Sequence, residues 1–280
     1  MGSRKCPTTY YPLPTTHYPL STTHYPLPIM RISVIIITKN AGRTLRRCLE
    51  SVAWADEIIV VDSNSNDDTA GICRELGAAL HQTSDWPGFG PQKNRALDLA
   101  TGEWVISIDA DEWVAPELRA EIERLTAVPG DKVAFALPRR SSFCGRYMRH
   151  SGWWPDYVVR LFRRDAARFS DDNTHERLIV KGATGKLKQP LMHQAIDDLD
   201  QMLSKMNTYS TNTARMLHER GRRASIFTAL LHGGWTFVRT YFLRLGFLDG
   251  REGFMLAVAN AEGSYYRYLK LMLLLEKHSD

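Results

Sequence analysis

The sequence lacks the signatures of several large protein classes. Its 4 cysteines are far apart in 280 residues and form no Cys-x-x-Cys pair, which argues against a zinc cluster and against a disulfide framework. We therefore expect reduced thiols in a cytoplasmic protein. No Gly-x-Gly-x-x-Gly motif follows the first predicted strand, and no Gly-x-x-x-x-Gly-Lys-Ser/Thr motif occurs. The sequence therefore lacks the motifs that would indicate a dinucleotide-dependent dehydrogenase or a P-loop enzyme.

Uninterrupted apolar runs and a dominant charge are also missing. Segments 226–248 and 254–275 are rich in apolar and aromatic residues, but glycines, arginines and other charged residues interrupt both of them. A membrane-spanning helix needs roughly 20 predominantly apolar residues, so neither segment is a good candidate. No secretory signal is apparent at the N-terminus. A net charge of +5 fits phosphorylated substrates, anionic membranes and nucleic acid equally well.

Residues 1–29 contain an imperfect repeat in which Thr-Thr, an aromatic residue or histidine, Tyr, Pro and Leu recur. The frequent prolines are incompatible with a helix and with a central strand. We predict a disordered, low-complexity leader over 1–29. Met30 stands directly before the first clear strand, which suggests the hypothesis that the natural protein starts there.

From Arg31 onward strands and helices alternate. Ile32–Ile37, Glu57–Val61, Ala79–Gln82 and Trp104–Ile108 are predicted strands, with helices between them. This rhythm predicts an α/β fold in which a mostly parallel sheet carries helices on both faces. Short apolar runs after Val133 suggest hairpins at one end of the sheet. We expect one domain over 30–195 and a helical C-terminal region over 196–280.

Polar residues end three of the predicted strands. Thr38 and Asn40 follow the first, Asp62 follows the second, and Asp109 and Asp111 follow the fourth. Ligands of open α/β sheets bind beyond the carboxyl ends of the strands, so we expect these side chains to converge. Two carboxylates in Asp-x-Asp spacing could hold Mg²⁺ or Mn²⁺, whose other ligands are usually phosphate oxygens and water. The alternative is a solvated turn.

A basic segment, Gln92-Lys93-Asn94-Arg95, lies at the start of a predicted helix after a glycine-containing stretch. A helix N-terminus offers free N–H groups and a partial positive charge, both suited to a diphosphate. We therefore place Lys93 and Asn94 in a predicted nucleotide site. The alternative is an exposed basic first turn, which the helix dipole disfavours.

Four segments together resemble family 2 inverting glycosyltransferases of the GT-A fold. They are Ile32-Ser-Val-Ile-Ile-Ile-Thr-Lys-Asn40, Ile58-Ile-Val-Val-Asp-Ser-Asn-Ser-Asn-Asp-Asp-Thr69, Gly90-Pro-Gln-Lys-Asn-Arg-Ala-Leu97 and Trp104-Val-Ile-Ser-Ile-Asp-Ala-Asp-Glu-Trp113. The sequence is most similar to the lipopolysaccharide-core β-1,4-glucosyltransferase branch. Weaker similarities follow at Asn173-Thr-His-Glu-Arg-Leu178, at His193 and at Gly246-Phe-Leu-Asp-Gly-Arg-Glu-Gly253.

The resemblance implies a role for each candidate residue. Thr38, Asn40 and Asp62 would hold the nucleoside, and Lys93 would lie near the diphosphate. Asp109 would face the ribose or the donor sugar, while Asp111 would bind the metal. His193 would supply a further metal ligand, unless it is a hydrogen-bonded structural histidine.

Inversion also needs a base that removes the proton from the acceptor hydroxyl. In the family this carboxylate follows the hairpins, so Glu176 is the first candidate and Asp172 the second. Asp172 could instead belong to a solvated loop.

The C-terminal third goes beyond a minimal GT-A domain. Its aromatic and leucine residues alternate with arginines in a pattern that suits a helix in a membrane interface, core packing or a dimer face. The first option implies a peripheral position on the cytoplasmic face of the inner membrane.

The function expected from this resemblance is metal-dependent transfer of a hexose, with glucose from UDP-glucose as the first choice, to a lipopolysaccharide-core or related saccharide. The acceptor could be lipid-linked. The alternatives are a family 2 enzyme for O-antigen or capsule with another donor, and an inactive protein that binds nucleotide sugars. Nucleic-acid binding is disfavoured because the basic residues are dispersed.

Overall fold

A computed structural model describes residues 31–171 and 176–276 of the chain. The predicted leader over 1–29 and Met30 lie outside the described residues. Asp172, the second candidate for the base, lies outside them as well.

The first half of the chain alternates strands and helices, as the sequence predicts. The elements are β1 (Ile32–Thr38), α1 (Leu45–Val52), β2 (Glu57–Asp62), α2 (Thr69–Glu75), β3 (Ala79–Gln82), α3 (Phe89–Leu99), β4 (Trp104–Ser107), β5 (Glu112–Val114) and α4 (Pro116–Ala127). Strands β1 to β4 are parallel and lie in the order β3-β2-β1-β4. The almost complete burial of β1, β2 and β4 explains their continuous β-branched runs in the sequence, whereas β3 at the edge of the sheet is largely exposed.

The second half of the sheet is mixed. Its strands are β6 (Lys132–Phe143), β7 (Arg146–Tyr147), β8 (Asp156–Arg163), β9 (Ala167–Phe169), β10 (Leu178–Val180), β11 (Ala183–Lys186) and β12 (Leu191–Ile196). Strand β8 runs antiparallel to β4 and extends the order to β4-β8-β6-β12-β5, while β9 and β10 form a separate two-stranded sheet. Neither β5 nor β12 follows from the sequence pattern, because one is only three residues long and the other mixes polar with apolar residues.

Helices cover both faces of the sheet. One face carries α1, α2 and α4, whose buried side chains include Leu49, Ile72 and Ile122. The opposite face is covered by α3 together with β9, through Leu97 and Phe169. Alternate residues of β1 point into these two cores, as a period of two residues requires.

The C-terminal region is helical. It consists of α5 (Leu199–Glu219), α6 (Ile226–Val238), a π-helical turn (Arg239–Leu243), a 3₁₀ turn (Gly246–Asp249) and α7 (Gly250–Glu276). Met202 of α5 and Leu256 of α7 pack against Phe143 at the end of β6. The buried carboxylate of Asp249 accepts hydrogen bonds from the backbone N–H groups of Arg149 and His150. No helix within the described residues is both long and apolar enough to cross a bilayer.

Candidate active site

A cavity of about 920 Å³ opens at the carboxyl ends of β1 and β4. Residues from several separate segments line it: Thr38, Lys39 and Asn40 after β1, Asp109 and Asp111 after β4, Arg139 of β6, His193 of β12, Lys205 and Tyr209 of α5, and Trp86 and Phe89 before and at the start of α3. This is the position expected for a ligand of an open α/β sheet. The structure thus brings Thr38, Asn40, Asp109, Asp111 and His193 together around one space.

Asp111 and His193 face each other in this cavity. The His193 Nε2 atom lies 3.6 Å from Asp111 Oδ2, although the two residues come from different segments. On its other side, the His193 Nδ1 atom lies 2.9 Å from the Ser141 hydroxyl oxygen. When Nδ1–H donates to this hydroxyl, the Nε2 lone pair is directed toward Asp111 and is available to a metal, as in many metal-binding histidines.

These two groups fit a divalent cation that is shared with a ligand. The described residues contain no group of three or more His, Cys, Asp and Glu side chains that could hold a metal by itself. Mg²⁺ is usually held by only one or two carboxylates and takes its other ligands from water and substrate phosphates. Asp111 and His193 therefore suit a cation that binds together with a diphosphate.

Asp109 has different surroundings from Asp111, although both belong to the same Asp-x-Asp motif. Its Oδ1 lies 3.2 Å from Lys93 Nζ, and its Oδ2 forms a short ion pair with Arg160. Burial alone would raise the pKa of Asp109, but the guanidinium of Arg160 and the ammonium of Lys93 outweigh it and hold the pKa well below its usual range. Asp109 is therefore ionised, and two protein cations already neutralise it.

A buried acid behind Asp109 completes this network. Glu112 is fully buried; its Oε1 accepts a hydrogen bond of 2.9 Å from Arg160, and its Oε2 accepts one of 3.0 Å from the backbone N–H of Asp109. Arg139, which lines the cavity, joins this network because it lies 3.5 Å from Glu112. It also lies 2.6 Å from Asp156. No motif in the sequence singles out Glu112, Arg139 or Arg160 as site residues. The one signal present is a charged residue, Arg160, inside the apolar run that predicts β8.

Lys93 lies behind the cavity instead of projecting into it. Only 5% of its side chain is exposed, and its ammonium lies 3.2 Å from Asp109 and 3.2 Å from Glu176. The attraction of two carboxylates compensates for part of the hydration that the buried ammonium of Lys93 loses. Lys93 thus joins the predicted base to the Asp-x-Asp motif.

Glu176 reaches Lys93 because the chain passes very close to α3 at this point. A Cβ atom on Gly90 would lie 1.8 Å from the carbonyl oxygen of Ser170 and 3.4 Å from the Glu176 Cβ. Only glycine permits this approach. The Glu176 carboxylate is one quarter exposed and does not belong to the cavity wall itself.

The family follows from a comparison with known proteins. The model of "Glycosyl transferase family 2" matches residues 33–187, which is more than half of the chain. The protein is a family 2 glycosyltransferase. An "Uncharacterized glycosyltransferase RC0292" of Rickettsia conorii is 31% identical over 86% of this chain and 89% of its own length. The "Lipopolysaccharide core biosynthesis glycosyltransferase LpsC" of Rhizobium meliloti is 28% identical over 90% of this chain and 94% of its own length.

Solved structures that resemble the glycosyltransferase include that of Staphylococcus aureus TarS 1-349 in complex with UDP. It is 16% identical, with a TM-score of 0.46 over 89% of this chain and 92% of that one. Family membership and the observed sheet together confirm the predicted GT-A fold, and membership implies a nucleotide-sugar donor and a saccharide acceptor.

Asp62 occupies a different place in the glycosyltransferase from the one that the sequence analysis expects. It is fully buried and does not line the cavity. Its carboxylate accepts hydrogen bonds from the Thr38 hydroxyl at 2.9 Å and from the backbone N–H of Ser65 at 2.9 Å. Asp62 therefore ties the loop after β2 to the end of β1 and lies behind Thr38.

Asn40 remains accessible at the cavity. It adopts a left-handed backbone conformation with φ of 52°, which asparagine tolerates better than most residues. Its side-chain oxygen accepts a hydrogen bond of 3.0 Å from the backbone N–H of Asn66. The side-chain amide N–H groups of Asn40 are therefore the part of this residue that is suited to contact a ligand.

Asn94 also differs from the expected nucleotide contact. Its amide nitrogen donates to the carbonyl oxygen of Phe169 at 2.9 Å, and its side-chain oxygen accepts from the Phe169 N–H at 3.0 Å. The buried amide thus completes the backbone hydrogen bonding of β9 and fastens it to α3. Asn94 does not line the cavity, and each of its polar side-chain atoms already holds a backbone group of β9.

Proposed function

We propose that this glycosyltransferase transfers a hexose from a UDP-sugar, with UDP-glucose as the first candidate donor, to a lipopolysaccharide-core or related saccharide with inversion and with the help of Mg²⁺ or Mn²⁺. The observation that carries this proposal is the 3.6 Å approach of His193 Nε2 to Asp111 Oδ2 at the cavity. The similarity to LpsC, a protein named for lipopolysaccharide-core biosynthesis, supports the class of acceptor.

The proposed roles of the cavity residues follow from their surroundings. Asp111 and His193 would hold the cation, which stabilises the charge that develops on the departing diphosphate. Thr38 and Asn40 would contact the nucleoside from the end of β1. Asp109 would stay paired with Lys93 and Arg160, and its exposed third would face the donor sugar.

Glu176 is the proposed base. Its carboxylate would accept the proton of the acceptor hydroxyl while that oxygen bonds to the anomeric carbon and the bond from this carbon to the diphosphate oxygen breaks. The ion pair with Lys93 at 3.2 Å orients the carboxylate. Asp172 remains the second candidate and lies outside the described residues.

Release of UDP from a panel of donors, with a lipopolysaccharide-core saccharide present as the acceptor, tests the proposal. We expect UDP-glucose to be turned over at least about tenfold faster than UDP-galactose and UDP-N-acetylglucosamine. EDTA should abolish the release, and excess Mn²⁺ should restore it. Full activity in EDTA would contradict the metal-dependent reaction. Preference for another sugar would support the O-antigen or capsule alternative, and binding without release would indicate an inactive protein.

The proposed acceptor is linked to a lipid, and one face of the C-terminal region suits a membrane surface. Seven apolar residues between 220 and 248 are each more than half exposed, and we call the surface that they form the interfacial face: Phe227, Leu230, Leu231, Trp235, Phe242, Leu243 and Leu248. Segment 220–248 contains five arginines and no acidic residue. Apolar side chains flanked by cations match an anionic bilayer. Phe237 and Tyr241 of the same segment stack on each other, with their ring centroids 5.5 Å apart.

Flotation with anionic phosphatidylglycerol vesicles measures this contact. We expect wild-type protein to float and Leu231→Asp to lose most of the floating fraction, since Leu231 is 74% exposed and a charge opposes its insertion. The matched control is Val128→Asp, because Val128 is 67% exposed at the end of α4, outside the interfacial face.

Two results would contradict membrane binding by this face. One is equal flotation of wild type and Leu231→Asp. The other is a wild-type dimer in light scattering that Leu231→Asp dissociates without any flotation of either protein, which would assign the face to a second copy of the chain.

A further inference from the structure

A second cavity lies between α5 and α7, beside the first. It measures about 270 Å³, and its wall includes Trp153, Met206, Leu256, Asn260 and Arg267. Lys205 and Tyr209 of α5 line both cavities, so the two spaces adjoin along this helix. A ligand longer than one sugar unit could therefore extend from the first cavity into the second.

The wall of the second cavity is apolar and cationic. Among the described residues that line it, Lys205 and Arg267 are charged and none is acidic. The Nε atom of Arg267 is buried and has no hydrogen-bond partner among the described residues. Buried polar groups in folded proteins are almost always hydrogen-bonded. The guanidinium of Arg267, a residue of the cavity wall, therefore has hydrogen-bonding capacity that no described residue uses, and guanidinium groups are suited to anionic oxygens.

The shape of the cavity depends on a small residue of α7. A Cβ atom on Gly263 would lie 3.3 Å from Met206 Cγ of α5, so a larger side chain there would crowd the space between the two helices. Pockets for drug-sized ligands measure roughly 300–1,000 Å³, and the volume of about 270 Å³ therefore suits one unit of a longer molecule.

We infer that the second cavity is an acceptor subsite for an anionic sugar unit, one that carries a carboxylate or a phosphate. This inference rests on the proposed function, because the donor occupies the cavity with Asp111 and His193. Arg267 pairs with the anion, while Trp153 and Tyr209 offer aromatic faces to the sugar and to an apolar tail. The reacting unit of the acceptor then lies beside the donor, past Lys205.

Three matched glycosides test the subsite by isothermal titration calorimetry below their micelle concentrations. They are octyl β-D-glucoside, which is neutral, octyl β-D-glucuronide, which carries a carboxylate, and octyl β-D-glucoside 6-phosphate. We expect wild-type protein to bind at least one of the anionic glycosides about tenfold more tightly than the neutral one. The anionic glycoside that binds more tightly shows whether the subsite prefers a carboxylate or a phosphate.

Arg267→Gln should abolish this preference, whereas Arg267→Lys should retain part of it because the charge remains. The matched control is Arg215→Gln, since Arg215 is exposed on α5 and lines neither cavity. The inference is overturned if wild type binds all three glycosides equally, or if folded Arg267→Gln keeps the full preference. Should Arg267→Gln not fold, Gly263→Met is measured instead, and undiminished binding of the anionic glycoside to it overturns the inference.

Donor binding is measured on the same proteins and separates the two proposals. The affinity for UDP-glucose with Mn²⁺ should be unchanged in Arg267→Gln, since Arg267 does not line the donor cavity. A charge-dependent glycoside preference without binding of UDP-glucose would support the anion subsite and contradict the proposed donor. Binding of UDP-glucose without the glycoside preference would support the proposed donor and contradict the anion subsite.

Discussion

Replacing Asp111 with asparagine is expected to lower kcat for sugar transfer by about 10³-fold, which corresponds to about 4 kcal/mol of transition-state stabilisation. Asparagine has nearly the same shape but lacks the negative charge that attracts a divalent cation. Asp111 is the negatively charged member of the proposed ligand pair, and its partner His193, 3.6 Å away, cannot replace this charge. The measurement is the initial rate of UDP release across a Mn²⁺ titration, in which the metal requirement should rise as well.

The control for this substitution is Asp131→Asn. The Asp131 side chain is 79% exposed and pairs only with its neighbour Lys132 among the described residues, so the same chemical change there should leave the rate unaltered. If Asp111→Asn retains a rate within about threefold of wild type at saturating Mn²⁺, a difference below 1 kcal/mol, then Asp111 is not the metal ligand.

The second large effect is expected for Glu176→Gln. Removal of a general base typically lowers turnover by about 10²- to 10⁴-fold, and glutamine cannot accept the proton of the acceptor hydroxyl. Donor binding should persist, because Glu176 does not line the donor cavity. The measurement combines kcat for transfer to an acceptor with the affinity for UDP-glucose and Mn²⁺.

The matched control is Glu123→Gln, an exposed glutamate whose partner among the described residues is Arg119, one turn away on α4. A folded Glu176→Gln variant with near-normal transfer would remove Glu176 as the base. Loss of transfer in Asp172→Asn together with normal transfer in Glu176→Gln would assign the base to Asp172.

These two predictions depend on the different environments within one acidic motif. Asp109 is flanked by Arg160 and Lys93, which keep it ionised and engaged. Asp111 instead faces His193 across the cavity and keeps one third of its side chain exposed. The protein thus neutralises the first carboxylate itself and leaves the second available. The same Lys93 also contacts Glu176, so one buried ammonium orients both the motif and the proposed base.

The proposed membrane contact of the interfacial face and the proposed subsite in the second cavity concern the acceptor, whereas the proposed Asp111–His193 metal site concerns the donor. They can therefore be tested separately. Leu231→Asp changes an exposed side chain of α6, and Arg267→Gln changes the wall of the cavity between α5 and α7. Neither residue lines the donor cavity, so loss of vesicle binding or of glycoside preference should leave the affinity for UDP-glucose with Mn²⁺ intact.

Much of the fold is readable from local pattern. The β-branched runs of β1, β2 and β4 predict buried parallel strands because such strands are covered on both faces. The order of strands and helices then predicts the edge of the sheet where Asn40, Asp109 and Asp111 meet, and the motifs predict the family. These inferences succeed because the period of a strand and the place where it ends are properties of a few neighbouring residues.

The use of each polar side chain was decided by tertiary structure. Asp62 ends a strand as Asp109 does, yet Thr38 and Ser65 engage its carboxylate. Asn94 and Lys93 lie near the start of α3, yet Phe169 engages Asn94, and Asp109 with Glu176 engages Lys93. Arg160 of β8 pairs with Asp109, whereas Asp111 faces His193, so the two acids of one motif have different surroundings. A carboxylate or amide can bind a ligand only where the protein leaves part of its hydrogen-bonding capacity exposed. That depends on side chains that the folded chain brings from distant segments, which no local pattern specifies.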